Sequence, residues 1–156
     1  MTTKGEVEES TPSPSLVAPM FGIHSSVGKS PSPKADEFAV QIITMNGSLY
    51  VWVGAGDPRA QRMDNLTAAL TSRTSSLTKP SVATIFEGGV ADDSCSFAEG
   101  MAERLCKRTG QVVFVSYNLP VTSTPDEALL FEVEKVTIDL LKNVTAGTKV
   151  EAGNAH

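Results

Sequence analysis

The sequence predicts an α/β domain of the α+β kind, a mainly antiparallel sheet of about six strands with two α-helices packed on one face. Three observations predict it. Two segments, Ser48-Leu-Tyr-Val-Trp-Val-Gly-Ala55 and Gln111-Val-Val-Phe-Val-Ser-Tyr-Asn-Leu119, carry large apolar residues on consecutive positions, as strands buried on both faces do. Asn46-Gly47 joins two apolar runs, a strong short hairpin signal. Two amphipathic stripes at helical spacing come late in the chain, after most of the strands.

The elements follow in order. Residues 1–18 are polar and punctuated by Pro12 and Pro14, a composition that does not fold alone, so they are expected to be a disordered tail before a single domain over 19–142. Met20-Phe21-Gly22-Ile23 opens a first strand near 20–27. Gly28 to Lys34, rich in serine and proline, is expected to be a long mobile loop. Phe38–Met45 and Leu49–Val53 flank Asn46-Gly47, whose expected type I′ turn needs positive φ at both central residues. After a polar insertion over 54–64, Asn65–Thr71 is open to two readings. Its alanines favour helix, while Leu66, Ala68 and Leu70 alternate with mostly polar neighbours and favour a strand, which is the reading adopted. Val82–Phe86, after Pro80 and before Gly88-Gly89, is a short strand.

A helix follows over 94–109, with Asp92, Asp93 and Ser94 as cap candidates. Phe97, Met101 and Leu105 with Ala98, Ala102 and Cys106 form its apolar stripe, and Gly110 suits the C′ position. Glu99, Glu103 and Lys107 read as ordinary charge on its solvated side. After the strand 111–117, Thr124-Pro-Asp-Glu127 reads as a capping box with Pro125 at the first helical position. The stripe Leu129, Leu130, Val133, Val136, Thr137, Leu140, Leu141 carries this second helix to about Asn143, and 143–156 is expected to be a flexible tail.

Two helices can cover one face of such a sheet. Strand 111–117 places Val112, Phe114 and Ser116 opposite Val113, Val115 and Tyr117, and strand 49–53 places Leu49, Val51 and Val53 opposite Tyr50 and Trp52. The uncovered face would expose more apolar surface than a monomer normally carries, so part of the sheet is expected to await another protein. Tyr50, Trp52, Val113, Val115 and Tyr117 are the candidate interface residues, with Leu49, Val51 and Phe114 as the contrasting set. Sequence alone does not decide which face is free, and Trp52 reads first as a core residue, with an interface anchor as the sharper alternative.

With 13 basic and 18 acidic residues the 156-residue chain has a net charge of −5 and no basic cluster, which argues against a nucleic-acid partner. No run approaches the ~20 apolar residues of a membrane span, and Met1 to Glu9 has no apolar signal-peptide core. A cytoplasmic location, with the nucleus also open, is expected, and there thiols stay reduced. Cys95 and Cys106 would lie about 16 Å apart along one helix, too far for a disulfide.

Chemical motifs are incomplete. Gly28-Lys29-Ser30 resembles the end of a phosphate-binding loop, but position 23 is Ile23 where glycine is needed, and Pro31 and Pro33 prevent the helix that would follow. Gly54-Ala-Gly56 has Arg59 where a dinucleotide fingerprint needs its third glycine. His24 and His156 are the only histidines and lie far from any cysteine pattern; Ser116 lacks a nucleophile elbow. The sequons at Asn46, Asn65 and Asn143 are expected to stay unmodified. No catalytic, metal or cofactor residues are assigned. A small enzyme built from loops 54–64 and 87–96 with Asp57, Arg59, Asp92 or Asp93 is the alternative class.

The segments 48–55, Asn65-Leu-Thr-Ala-Ala-Leu70, Ala98-Glu-Gly-Met-Ala-Glu-Arg-Leu-Cys-Lys-Arg-Thr109 and 111–119 together resemble the proteasome assembly chaperone 4 family, over roughly residues 48–141. The resemblance implies a non-catalytic chaperone that pairs with a proteasome assembly chaperone 3-like protein and helps α-type subunits form the ring of the 20S core. A homodimeric adaptor with another client is the rival within the same fold. The stretch 56–64 and the serine–proline loop before Phe38 look longer than the family's connections. The ending Gly-Asn-Ala-His lacks the hydrophobic-Tyr-X terminus of other proteasome-binding factors, so docking by that route is not expected.

Overall fold

The chain alternates between two periodicities, and the structure follows them. The computed structural model describes residues 21–31, 37–71, 79–88, 94–119 and 126–151, with side chains to residue 145. Strands β1 (Gly22–Lys29), β2 (Glu37–Met45), β3 (Ser48–Ala55), β4 (Asn65–Leu70) and β5 (Ser81–Glu87) precede helix α1 (Ser94–Thr109), strand β6 (Val112–Tyr117) and helix α2 (Glu127–Glu151). They form one six-stranded sheet in the order β1-β2-β3-β6-β4-β5. β6, the last strand in the chain, inserts between β3 and β4. It runs parallel to β3, and every other neighbouring pair is antiparallel. The two segments that are apolar on both sides are therefore the two central strands, side by side.

Helices α1 and α2 cover the same face. Met101, Leu105 and Cys106 of α1 and Leu129, Val133 and Leu141 of α2 share one core with Phe38, Val40, Ile42, Val51 and Val115 of the sheet. Each fully buried valine, leucine or isoleucine contributes about 1.5–3 kcal/mol, so this layer carries most of the fold's stability. Arg104 and Glu134 join the two helices by an exposed ion pair of 2.9 Å, which adds little.

Several boundaries depart from the sequence reading. β1 continues through Gly28 and Lys29, which pair with Phe38 and Glu37 instead of lying in a loop. The two-residue hairpin turn forms, but only Gly47 has positive φ, at 77°. Asn46 does not, so the turn is not type I′, and one glycine at the second central position suffices. The α1 cap candidates Asp92 and Asp93 lie outside the described residues, whereas Gly110, with φ 68°, closes the helix by donating its N–H to the Cys106 carbonyl at 2.9 Å.

The cap of α2 is Asp126 and not Thr124. Its carboxylate accepts the Leu129 N–H at 3.1 Å and its carbonyl accepts the Leu130 N–H at 3.0 Å. A carboxylate there also meets the positive end of the helix dipole, an advantage threonine lacks. Thr124 and Pro125 are outside the described residues. α2 extends to Glu151 rather than stopping near Asn143, because the only break in the pattern is Gly147, and one glycine costs about 1 kcal/mol, too little to end a helix. The Asp126→Ala variant is expected to lose about 1 kcal/mol of unfolding free energy, measured by urea titration.

Candidate protein interface

Strand register decides which side chains share a surface. One row crosses all six strands on the side away from the helices: Ile23, Ile43, Tyr50, Phe114, Ala68 and Ala83. The matching row beneath the helices is His24, Ile42, Val51, Val115, Thr67 and Thr84. The helix-free row holds no charge, and β1 carries Ile23 and Val27 on that side, 59% and 62% exposed, with Phe21 just before the strand 63% exposed. For side chains this apolar, exposure on that scale in a contiguous sheet is uncommon.

The five expected interface residues do not share that surface. Tyr50 and Trp52 stand on the helix-free face. Val113, Val115 and Tyr117 lie on the other, completely or almost completely buried beside Leu49, Val51 and Val53. The parallel pairing of β3 with β6 sets Phe114, not Val113 or Val115, next to Tyr50. Phe114 thus belongs with Tyr50 and Trp52.

Trp52 has its own cover. The indole lies against Gly54, so close that a Cβ there would clash with Cζ2 and Cη2 of the ring. Its Nε1 donates to the Arg62 carbonyl at 2.9 Å, and the Tyr50 hydroxyl donates to Met63 Sδ at 3.8 Å. The stretch expected to be a polar insertion therefore folds back across one corner of the helix-free face. Asp57, a candidate for the enzymatic alternative, accepts the Arg59 N–H at 2.9 Å and starts the short 3-10 turn Pro58–Ala60. Asp92 and Asp93 are outside the described residues. Among the described residues no group of three or more histidine, cysteine or acidic side chains could hold a metal ion, and no helix is long and apolar enough to cross a membrane.

At the C-terminal end of β6 two asparagines that sequence reasoning had not identified as structural hold three strands together. Asn65 accepts the Tyr117 N–H at 2.9 Å and donates to the Tyr117 carbonyl at 2.6 Å and to Ser94 Oγ at 3.1 Å. Asn118 donates to the Val53 carbonyl and to Ser116 Oγ, and its Oδ1 accepts the Asp64 N–H at 2.7 Å. The available signal was an asparagine at a strand end among apolar neighbours. The Asn65 sequon is thereby closed, because its amide nitrogen is buried and already donates twice.

Burial raises the pKa of both tyrosines. Tyr50 is pushed up by desolvation, partly opposed by a hydrogen bond with Ser116. Tyr117, packed against Phe97 with ring centroids 5.9 Å apart, is pushed far above the ordinary phenol by desolvation and then by the negative charge of Asp126. In the unfolded chain Tyr117 ionises near pH 10, whereas in the folded chain it stays protonated. Stability is therefore intact below pH 10 and falls above it, by up to about 1.4 kcal/mol per pH unit for this group. An ultraviolet titration is expected to show Tyr117 ionising only as the chain unfolds.

Residues 37–119, just over half of the chain, match the proteasome assembly chaperone 4 family. Proteasome assembly chaperone 4 of Homo sapiens is 36% identical over 91 residues, which cover 58% of this chain and 65% of the human protein. The Mus musculus protein of the same name is 34% identical over 83 residues, 53% of this chain and 59% of the mouse protein. The chain thus spans just under two thirds of the length of these relatives. A chain in the crystal structure of a novel chaperone complex for yeast 20S proteasome assembly is 17% identical, with a TM-score of 0.58 covering 80% of this chain and 97% of that one, a likeness of fold. The family match covers the hairpin, the central strands, α1 and the helix-free row from β2 to β5, and on that match the chain belongs to the proteasome assembly chaperone 4 family.

Proposed function

We propose that this chain is a non-catalytic chaperone of 20S proteasome assembly. In this reading it works in the cytoplasm as a heterodimer with a proteasome assembly chaperone 3-like protein and contacts α-type subunits while the α-ring forms. The observation that carries the reading is the uncharged row from Ile23 through Tyr50 and Phe114 to Ala83, open on the side the helices leave bare. Charged residues are depleted from the centres of protein interfaces and aromatic residues are enriched there, and Tyr50 and Phe114 stand on the two central strands. Six strands at about 4.8 Å spacing make a face about 24 Å wide, more than twice the width of one helix, so a partner of matching breadth, such as a second sheet, suits it.

Family membership supplies the class of client; nothing in the site calls for a cofactor. Affinity purification of the tagged chain tests the reading. α-Type subunits and a second small chaperone are expected to co-purify. Recovery of neither overturns it, and recovery of a second copy of this chain without α-type subunits favours the homodimeric adaptor.

A further inference from the structure

The loop between β3 and β4 is not a free flap. Gly56 N–H donates to the Glu37 carbonyl at 2.9 Å, and Asp64 N–H donates to Asn118 Oδ1 at 2.7 Å, so both roots are tied to the sheet. Between them, Arg62 and Asp64 pair at 2.8 Å, the Trp52 indole N–H is taken by the Arg62 carbonyl, and Met63 accepts from Tyr50. The Trp52 donor is therefore spent within the chain, while Met63 remains 44% exposed directly beside Tyr50, at the edge of the uncharged row. An exposed thioether continuous with an apolar surface is adaptable contact material.

We propose that loop 57–63 is a fixed ledge of the docking surface, one that withdraws Trp52 from the partner and presents Met63 in its place. The occupant is the sheet of the proteasome assembly chaperone 3-like partner, which the breadth of the six-stranded face suits. Because the Met63 thioether sits on the Tyr50 hydroxyl, a partner sheet that covers Tyr50 and Phe114 also meets Met63. This inference rests on the proposed heterodimer.

The test uses the full chain and the proteasome assembly chaperone 3-like protein from the same source. Met63→Asp is expected to weaken the complex at least tenfold with an unchanged circular dichroism spectrum. Complex formation is expected to slow tryptic cleavage after Arg59 and Arg62 at least tenfold. In the free chain, Trp52→Phe, which keeps a ring but loses the N–H, is expected to speed that cleavage. If Met63→Asp binds like the wild type, or the loop is cut equally fast in the complex, the ledge is overturned. With Phe114→Asp still unable to bind, the heterodimer reading survives that result. If Phe114→Asp also binds normally, or the wild-type chain forms no complex, both ideas fall.

Discussion

Phe114→Asp is expected to leave the chain folded but without its partner, whereas Val115→Asp, one residue further along, is expected to unfold it. Successive strand residues point to opposite faces, so this adjacent pair samples both sides of the sheet within one strand. Val115 is fully buried in the core that α1 and α2 share, and its cross-strand neighbour Thr67, also fully buried, carries no positive charge to pair with a carboxylate. An unpaired charge at such a position costs several kcal/mol, comparable with the whole stability of a domain this size. Phe114 is half-buried in the helix-free row between Tyr50 and Ala68, where an aspartate keeps access to water in the free chain. In the complex that carboxylate would be buried, and losing a central aromatic contact costs about 2–4 kcal/mol, a factor of about 30 to 1,000 in affinity. Thermal melts followed by circular dichroism, paired with size-exclusion chromatography of the mixture, separate the two outcomes. If Phe114→Asp melts as early as Val115→Asp, the helix-free face is part of the core and not a docking surface.

The same pair shows where sequence reading stopped. The residues that alternate within β3 and within β6 were legible, because period-two patterning is local. How the two strands align was not. β6 reaches β3 only after β4, β5 and α1 have been laid down, and this long-range parallel pairing joins Tyr50 to Phe114. Reading Tyr50 and Trp52 together with Val113, Val115 and Tyr117 amounts to a register error of one residue between neighbouring strands, which transfers every side chain to the opposite face. Local signals served well elsewhere. The alternation of Leu66, Ala68 and Leu70 prevailed over alanine's helix propensity because β4 is paired on both sides, and α1 begins and ends where its stripe and Gly110 indicate. The α2 cap was misplaced because Thr124-Pro125 and Asp126 offer overlapping signals only two residues apart. The fold of loop 57–63 over Trp52 had no local signature, since a backbone carbonyl accepts the indole proton and any residue could supply one.

The buried asparagine at the start of β4 gives a prediction of similar size that does not depend on any partner. Asn65→Leu is expected to destabilise the chain by about 2–4 kcal/mol. The loss comes from stranding the Tyr117 N–H and carbonyl, both interior, more than from any change in volume. Asn65→Asp is the sharper probe. A carboxylate can still accept the Tyr117 N–H, but it cannot donate to the Tyr117 carbonyl or to Ser94 Oγ, and it brings a negative charge into a nearly dry site. Protonating it restores a donor and removes the charge, so the folded chain holds that proton more tightly than the unfolded chain does. A carboxyl whose folded pKa is raised destabilises above its unfolded value near 4 and recovers as pH falls through the raised value. Relative to wild type, Asn65→Asp should therefore be far less stable at pH 7 than near pH 4.5, while the Asn65→Leu deficit stays flat across that range. Urea titrations at the two pH values measure both. Equal deficits for Asn65→Asp at the two would mean that the donated bonds to Tyr117 and Ser94 are not what holds the end of β6 in place.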